Sequence, residues 1–176
     1  MVHVLTLCGS LRAASSNRSL LRAAELIAPA GVTFEHYEGI GELPHFNPDI
    51  EAGPLPVPVA TLRARVDNAD ALLISCPEYA RGIPGAFKNA LDWLVGGHEF
   101  PGKPIALFNA SPRASDAQSQ LRLVLTTMSG RVVDEAAISV ALIAKGMEAE
   151  AIAADPVLRP TIETGLAALL SAVQSD

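Results

Sequence analysis

The amino-terminal part of the chain passes from a strand-like run to a helical pattern within a few residues. Val2–Cys8 is rich in valine and leucine and lacks strict alternation, which is typical of a strand buried on both faces of a parallel sheet. At residues 17–28 the apolar residues recur with helical spacing, and Pro29 ends that pattern. The succession predicts a buried strand that a short polar segment joins to a helix.

The same succession continues along the chain. Strand-like runs recur at residues 32–36, 71–76, 104–109 and 131–142, and helical patterns at residues 55–68, 84–94, 114–128 and 160–173. Alternating strands and helices predict an α/β protein with one parallel sheet, because right-handed crossovers place helices on both of its faces. Ligands of such sheets bind beyond the carboxyl ends of the strands, so the loops after Cys8, Cys76 and Asn109 are the candidate binding loops.

Charge and composition narrow the classes of function. The formal net charge of the 176-residue chain is −6, which disfavours nucleic acid and anionic membrane surfaces as partners. No apolar run is long enough to span a membrane, and the first strand-like run lacks the basic leader of a signal peptide. The two cysteines, Cys8 and Cys76, form no disulfide framework, so we expect a cytoplasmic protein.

The segment GSLRAASSN, which follows the first strand, concentrates polar groups at the start of a helix. Its hydroxyl groups come from Ser10, Ser15 and Ser16, and the first 24 positions contain no Asp or Glu. Hydroxyls, backbone N–H groups and the positive end of a helix together bind phosphate, and Arg12 adds a charge-assisted hydrogen bond. We predict a phosphate site in which Asn17 or Ser16 caps the helix. The alternative is a solvated polar loop before an ordinary helix.

Several other chemistries lack their motifs. The chain contains neither the G-x-x-x-x-G-K-[ST] motif of P-loop proteins nor, at the first loop, the G-x-G-x-x-G motif of dinucleotide sites. No G-x-S-x-G nucleophile elbow occurs, which argues against a hydrolase. The histidines show no metal-ligand spacing, so we expect no metal site. None of these patterns identifies a catalytic side chain, and we expect none.

A second loop, CPEYARGIPGAFKNALDWL, places polar residues in a corner stiffened by proline. Pro77 restricts the backbone before it, and Gly82 and Gly85 allow another backbone or a flat ring to approach. Glu78, Tyr79 and Arg81 stand between them. The alternative is a plain turn in which Tyr79 packs in the core and Glu78 is solvated.

Together the two loops resemble the NADPH-dependent FMN reductase family of flavodoxin-like flavoproteins, which includes quinone, azo-dye and chromate reductases. The family pairs G-S-x-R-x-x-S-x-N with P-E-Y-N-x-x-x-P-G-x-L-K-N-A-I-D-W, and the resemblance covers residues 2–140. It implies a three-layer, doubly wound, five-stranded parallel sheet of order 2-1-3-4-5 in a single FMN-binding domain, residues 1–176. It also implies an oxidoreductase in which NADPH or NADH reduces FMN and the electrons pass to a quinone or similar small acceptor.

The resemblance further implies a set of cofactor-binding residues from three loops. The set comprises Ser10, Arg12, Ser15, Ser16, Asn17, Pro77, Glu78, Tyr79, Ala80, Arg81 and Ser111. The residues of the first loop, up to Asn17, would surround the phosphate. The residues from Pro77 onward would flank the isoalloxazine ring, largely through backbone groups. The family's asparagine is Ala80 here, which implies the loss of a ring or substrate contact. Arg81 either compensates beside the flavin or is a solvated surface residue.

Alternative functions and the assembly stay open at this level. A non-enzymatic flavodoxin-like electron carrier is one alternative, although the phosphate loop of such carriers usually lacks an arginine at the position of Arg12. A flavin-free binding domain is another. The resemblance implies a homodimer or homotetramer, with the helix at residues 84–94 and the proline-rich stretch at residues 39–58 as candidate contacts. Cys8 and Cys76 are either inert buried thiols or thiols near the flavin loops.

Overall fold

A parallel sheet forms the centre of the computed structural model, which describes residues 1–142 and 146–175. The strands are β1 (Val2–Cys8), β2 (Val32–Tyr37), β3 (Ala71–Ser75), β4 (Pro104–Asn109), β5 (Arg131–Val132) and β6 (Ile138–Ser139). Their order is β2-β1-β3-β4-β5, every pair is parallel, and β6 also pairs with β4. The predicted flavodoxin-like order is confirmed.

The fifth position of the sheet is divided between two short strands. A 3₁₀ turn, Asp134–Ala136, separates β5 from β6. Hydrogen bonds to β4 flank this turn on both sides. Val133 N donates to Ile105 O before the turn, and Val140 N donates to Asn109 O after it. The single strand predicted within residues 131–142 therefore exists as two pieces along one edge.

Seven α-helices cover the sheet within the described residues. They are α1 (Ser16–Leu26), α2 (Pro48–Glu51), α3 (Val57–Asn68), α4 (Gly85–Val95), α5 (Ser115–Thr127), α6 (Ala149–Ala154) and α7 (Leu158–Gln174). The longer helices agree with the predicted ones to within a few residues. Neither α2 nor α6 was predicted, because four and six residues are too short to display a helical period.

Two apolar cores lie on opposite faces of the sheet. On one face, Leu72 and Ile74 of β3 pack with residues of α3, α4 and α5, among them the fully buried Trp93. On the other face, Leu73 and Phe108 pack with residues of α1, α6 and α7. Successive strand residues thus point into different cores, as expected for a doubly covered parallel sheet. No helix in the described part of the chain is both long and apolar enough to cross a bilayer.

The proline-rich stretch at residues 39–58 is bonded to α4. Asn89 Nδ2 and Trp93 Nε1 both donate to Pro44 O, at 2.9 and 2.7 Å. Phe46 N donates to Asn89 Oδ1 at 2.8 Å, and the Phe46 ring meets the Trp93 ring edge-on at 5.0 Å. Two elements that are distant in sequence therefore form one continuous part of the surface.

Candidate functional site

A cavity of about 590 Å³ opens at the edge of the sheet where β1, β3 and β4 end. Every predicted cofactor-binding residue except Ala80 and Arg81 lines it. Those residues are Ser10, Arg12, Ser15, Ser16, Asn17, Pro77, Glu78, Tyr79 and Ser111. The two quoted motifs, which are separated by about a third of the chain, thus meet in space at one cavity. Its volume lies in the range of roughly 300–1,000 Å³ that is usual for small-molecule sites.

The start of α1 leaves backbone donors free for a ligand. The N-cap residue is Ser15, whose backbone is extended, and its side chain caps no helical N–H group. The prediction that Asn17 or Ser16 caps the helix is wrong, because both residues already belong to its first turn. Uncapped N–H groups at the positive end of a helix, beside the hydroxyl groups of the loop, suit a phosphate.

The first loop is fixed against β3 by close contacts. Ser75 Oγ donates to Asn17 Oδ1 at 2.9 Å, and Gly9 N donates to Ser75 O at 2.9 Å. A Cβ atom on Gly9 would lie 2.7 Å from Cys76 Sγ and 3.2 Å from Cys76 Cα. The structure shows that the lack of a side chain permits this close approach of two loops.

The second loop ends in a two-residue hairpin turn. Tyr79 N donates to Gly82 O, and Gly82 N donates to Tyr79 O, both at 3.0 Å. Ala80 and Arg81 between them have φ values of 49° and 62°, so the turn has positive φ at both central positions. Asparagine tolerates this left-handed conformation better than alanine does. Alanine in place of the family's asparagine therefore bears on the turn, and Ala80 itself does not line the cavity.

Tyr79 and Arg81 take different positions relative to the cavity. Tyr79 is 50% exposed and lines the cavity, so the alternative in which it packs in the core is wrong. The Arg81 side chain is 86% exposed, lies outside the cavity wall, and has its Nη1 atom 3.6 Å from Asp116 Oδ2. Such an exposed ion pair contributes little to stability.

Helix α5 holds the second loop in place. Glu78 Oε2 accepts hydrogen bonds from Asp116 N and Ala117 N, both at 3.0 Å, and so caps the helix. Gln118 Nε2 donates to Cys76 O at 3.3 Å, and Gln120 Nε2 donates to Arg81 O at 2.9 Å. The alternative in which Glu78 is merely solvated is wrong. The sequence pattern did not reveal these contacts, because each joins residues far apart along the chain.

We expect the Glu78→Ala substitution to lower the free energy of unfolding by about 0.5–2 kcal/mol, the usual cost of losing a helix cap. The charged acceptor near the positive end of α5 would be lost, and the loop at Pro77 would lose its anchor. Urea denaturation measures this change. Glu78→Gln keeps an acceptor oxygen without the charge and should cost roughly half as much. Equal stability of the alanine variant and the unmodified protein would contradict the capping role.

The third loop, after β4, contributes groups that the sequence pattern identified only in part. Ser111 was predicted, and its N–H donates to Asn109 Oδ1 at 3.0 Å. Asn109 and Arg113 also line the cavity, although neither was predicted. The available signal was the tripeptide Ser-Pro-Arg one residue after a buried strand, since proline stiffens a turn and so positions the arginine.

Both thiols are protonated at neutral pH and stand outside the cavity wall. Burial raises the pKa of Cys8, and burial together with the nearby Cys8 raises the pKa of Cys76 to about 12. Cys8 packs against the core beside α1, whereas Cys76 belongs to the core on the opposite face. The two cysteines are free thiols that point to different faces of the sheet. The structure favours the interpretation of both as inert.

The raised pKa of Cys76 predicts a loss of stability at alkaline pH. The unfolded thiol ionises near its ordinary value of 9.0, whereas the folded thiol keeps its proton up to about 12. The unfolded state therefore binds fewer protons in that range, and the free energy of unfolding falls as pH rises through it. Urea denaturation between pH 8 and pH 11 should show a shallower decline for Cys76→Ala. Parallel declines in the two proteins would contradict the assignment.

The sheet order and the cavity at its carboxyl edge define a flavodoxin-like flavoprotein. A phosphate-type loop, a second loop with an exposed aromatic residue, and a polar third loop surround the cavity. The sequence profile of the NADPH-dependent FMN reductase family matches residues 2–145, and the chain belongs to this family. It is an NAD(P)H-dependent flavin oxidoreductase. Within the described residues, no group of His, Cys, Asp and Glu side chains is arranged to hold a metal ion.

Individual relatives agree with this placement. The chain is 32% identical over 173 residues to a Pseudomonas aeruginosa protein named NAD(P)H-dependent FMN reductase, and the match covers 96% of this chain and 93% of that one. It is 33% identical over 141 residues to an Escherichia coli quinone reductase, covering 76% and 74% of the two chains. The structure of FerB from Paracoccus denitrificans, described as a flavoenzyme NAD(P)H:(acceptor) oxidoreductase, superposes with a TM-score of 0.80 at 31% identity. That superposition covers 99% of this chain and 98% of FerB.

Proposed function

We propose that the cavity at the carboxyl edge is the FMN site of a quinone reductase and that residues 1–176 form a single FMN-binding domain. In this proposal the phosphate lies at the loop after β1 and the ring lies against Pro77, Glu78 and Tyr79. One observation supports the proposal most strongly. Residues of both motifs, GSLRAASSN and PEYARGIPGAFKNALDW, line the same cavity, although none of the described residues 18–76 between them does.

The chemistry of the donors fits FMN. The free N–H groups at the start of α1 and the hydroxyl groups of Ser10 and Ser15 suit a phosphate dianion. Arg12 supplies a positive charge on the same loop, and its guanidinium forms no ion pair with any described residue. The exposed ring of Tyr79 offers an apolar surface against which a flat heterocycle packs.

In the reaction the protein positions and binds its ligands. Bound FMN would supply the redox chemistry, accepting a hydride from NADPH or NADH and delivering electrons to the acceptor. Arg12 and the first turn of α1 hold the phosphate, and the Glu78 bond to α5 keeps the second loop rigid beside the ring. No side chain of the cavity is required as an acid or base.

An anaerobic titration tests the function directly. FMN-loaded protein is mixed with NADPH or NADH, and the loss of the absorbance of oxidised flavin is followed. A quinone is then added. We expect the nucleotide to bleach the flavin, the quinone to restore its absorbance, and the cycle to continue under steady-state conditions. A protein that stays colourless with added FMN would contradict the proposal, as would one that accepts electrons without sustained oxidation of the nucleotide.

The same proposal includes a homodimer, or a tetramer built from it, in the cytoplasm. Large apolar side chains are exposed on both elements: Ile50 and Val57 belong to the proline-rich stretch at residues 39–58, and Val95 belongs to α4. These are the two elements that the family resemblance suggests as contacts, and they pack side by side. Two free cysteines are consistent with a reducing compartment. Sedimentation equilibrium tests the assembly, and a monomer at micromolar concentration would contradict it.

A further inference from the structure

Two arginines, Arg12 and Arg113, differ from the other arginines that the structure describes in having no bonded partner for the side chain. The other arginines are engaged by acidic groups or carbonyls: Arg18, Arg22, Arg63, Arg65, Arg81, Arg122 and Arg159 pair with carboxylates, and Arg131 donates to Ala172 O. Within residues 1–142 and 146–175, only Arg12 and Arg113 lack an ion pair or a side-chain hydrogen bond. Both line the candidate FMN cavity. In a chain with 19 acidic residues, two unpaired guanidinium groups at one cavity point to a ligand with more than one anionic centre.

The backbone around Arg113 is held in a defined turn. Ala114 N donates to Ser111 O at 3.0 Å, which closes a β-turn with Pro112 and Arg113 at its centre. Arg113 N donates to Ser111 Oγ at 3.3 Å, and Ser111 N donates to Asn109 Oδ1 at 3.0 Å. Proline at the first central position fixes the backbone before Arg113. The base of the arginine is therefore rigid, while its side chain is free to contact a ligand.

The order of the strands separates Arg113 from the phosphate loop. β3 pairs with β1 on one side and with β4 on the other. The loop at Pro77 consequently lies between the loop that carries Arg12 and the loop that carries Arg113. The ribityl chain joins the flavin ring at its centre, so an FMN with its phosphate at the first loop and its ring at the second would present one of the two ends of that ring to the third loop. Asn109, Ser111 and Arg113 are polar, which matches the pyrimidine end of the ring and not its dimethylbenzene end.

We propose that Arg113 binds the N1–C2=O edge of the isoalloxazine ring and stabilises the two-electron-reduced, anionic form of FMN. This inference rests on the proposed function. The nicotinamide C4–H bond breaks, its electron pair and hydrogen pass to the flavin, and NAD(P)⁺ leaves. The reduced ring thereby gains one negative charge, which is delocalised over N1 and the C2 oxygen. A planar guanidinium matches that edge with two parallel donors and interacts more strongly with the reduced ring than with the neutral oxidised ring.

The test compares how tightly the protein holds the two redox states of FMN. The dissociation constant of oxidised FMN is measured by fluorescence titration, and the potential of bound FMN by equilibration with a dye of known potential. For Arg113→Ala we expect nearly unchanged binding of oxidised FMN and about tenfold weaker binding of reduced FMN. That difference lowers the two-electron potential by about 30 mV. Arg113→Lys should retain part of the potential, since it keeps the charge without the planar pair of donors.

Arg12→Ala is the comparison variant. The phosphate has the same charge in both redox states, so this variant should weaken both forms equally and leave the potential unchanged. An unchanged potential in Arg113→Ala would overturn the inference. If both redox forms of FMN then bound equally more weakly, Arg113 would be assigned to the FMN phosphate. If the Michaelis constant for the nucleotide rose instead, Arg113 would be assigned to the nucleotide. A wild-type protein that binds no FMN would instead overturn the proposed function itself.

Discussion

Replacement of Arg12 by alanine is expected to weaken FMN binding by roughly ten- to a hundred-fold, which corresponds to the loss of about 1.5–3 kcal/mol for a hydrogen bond to a charged group. Arg12 lines the cavity beside the uncapped start of α1, and no described carboxylate competes for its guanidinium. Since Arg12 is exposed, its removal should leave the fold intact. Fluorescence titration with FMN measures the change.

Two controls make this prediction specific. Arg22→Ala removes a positive charge from the adjoining helix α1, but Arg22 faces Glu38 and does not line the cavity, so FMN affinity should stay unchanged. Riboflavin, which lacks the phosphate, should bind equally to Arg12→Ala and to the unmodified protein. An unchanged affinity of the Arg12 variant for FMN would place the phosphate elsewhere.

Gly9→Ala is expected to destabilise the protein by roughly 1–3 kcal/mol, the usual cost of overpacking a well-packed region. The added methyl group would lie 2.7 Å from Cys76 Sγ and 3.2 Å from Cys76 Cα, where strands β1 and β3 are paired and cannot easily separate. Any relief moves the phosphate loop away from the loop at Pro77. FMN affinity should therefore fall together with the free energy of unfolding.

Gly85→Ala is the matched control for this substitution. Gly85 is the first residue of α4, and apart from its chain neighbours and the backbone of its own helix, no heavy atom of the described residues lies within 4 Å of a Cβ built there. Alanine favours a helix more than glycine does, so this variant should be as stable as the unmodified protein or slightly more stable. If Gly9→Ala matched Gly85→Ala in stability and in FMN affinity, the close approach of the two loops would have no energetic consequence.

The layers of the fold were predictable because they depend on local patterns. The buried run at residues 71–76 and the helical spacing at residues 160–173 each persist over several turns or pleats, and both elements occur in the structure. The fifth strand was harder to predict, since a turn at Asp134–Ala136 divides it and leaves two residues in each part. Pairing with β4, which no local pattern records, holds these parts in the sheet.

The candidate site was predictable at the level of loops, and less so at the level of individual contacts. The motifs identified Arg12 and Tyr79, and both line the cavity. Glu78, which caps α5, is separated from its two hydrogen-bond donors by 38 and 39 positions along the chain. No short window of sequence therefore contains both partners. Arg113 lay in a loop that resembles its family less closely, and its lack of a carboxylate partner is visible only in three dimensions.

A crystal structure of the FMN-loaded protein would show directly where the cofactor binds. We expect a phosphate that contacts Ser10, Arg12 and the first turn of α1, with the ring packed beside Pro77 and Tyr79. The claim would be contradicted by FMN density at any other edge of the sheet, or by a vacant cavity in crystals of protein that retains one FMN per chain.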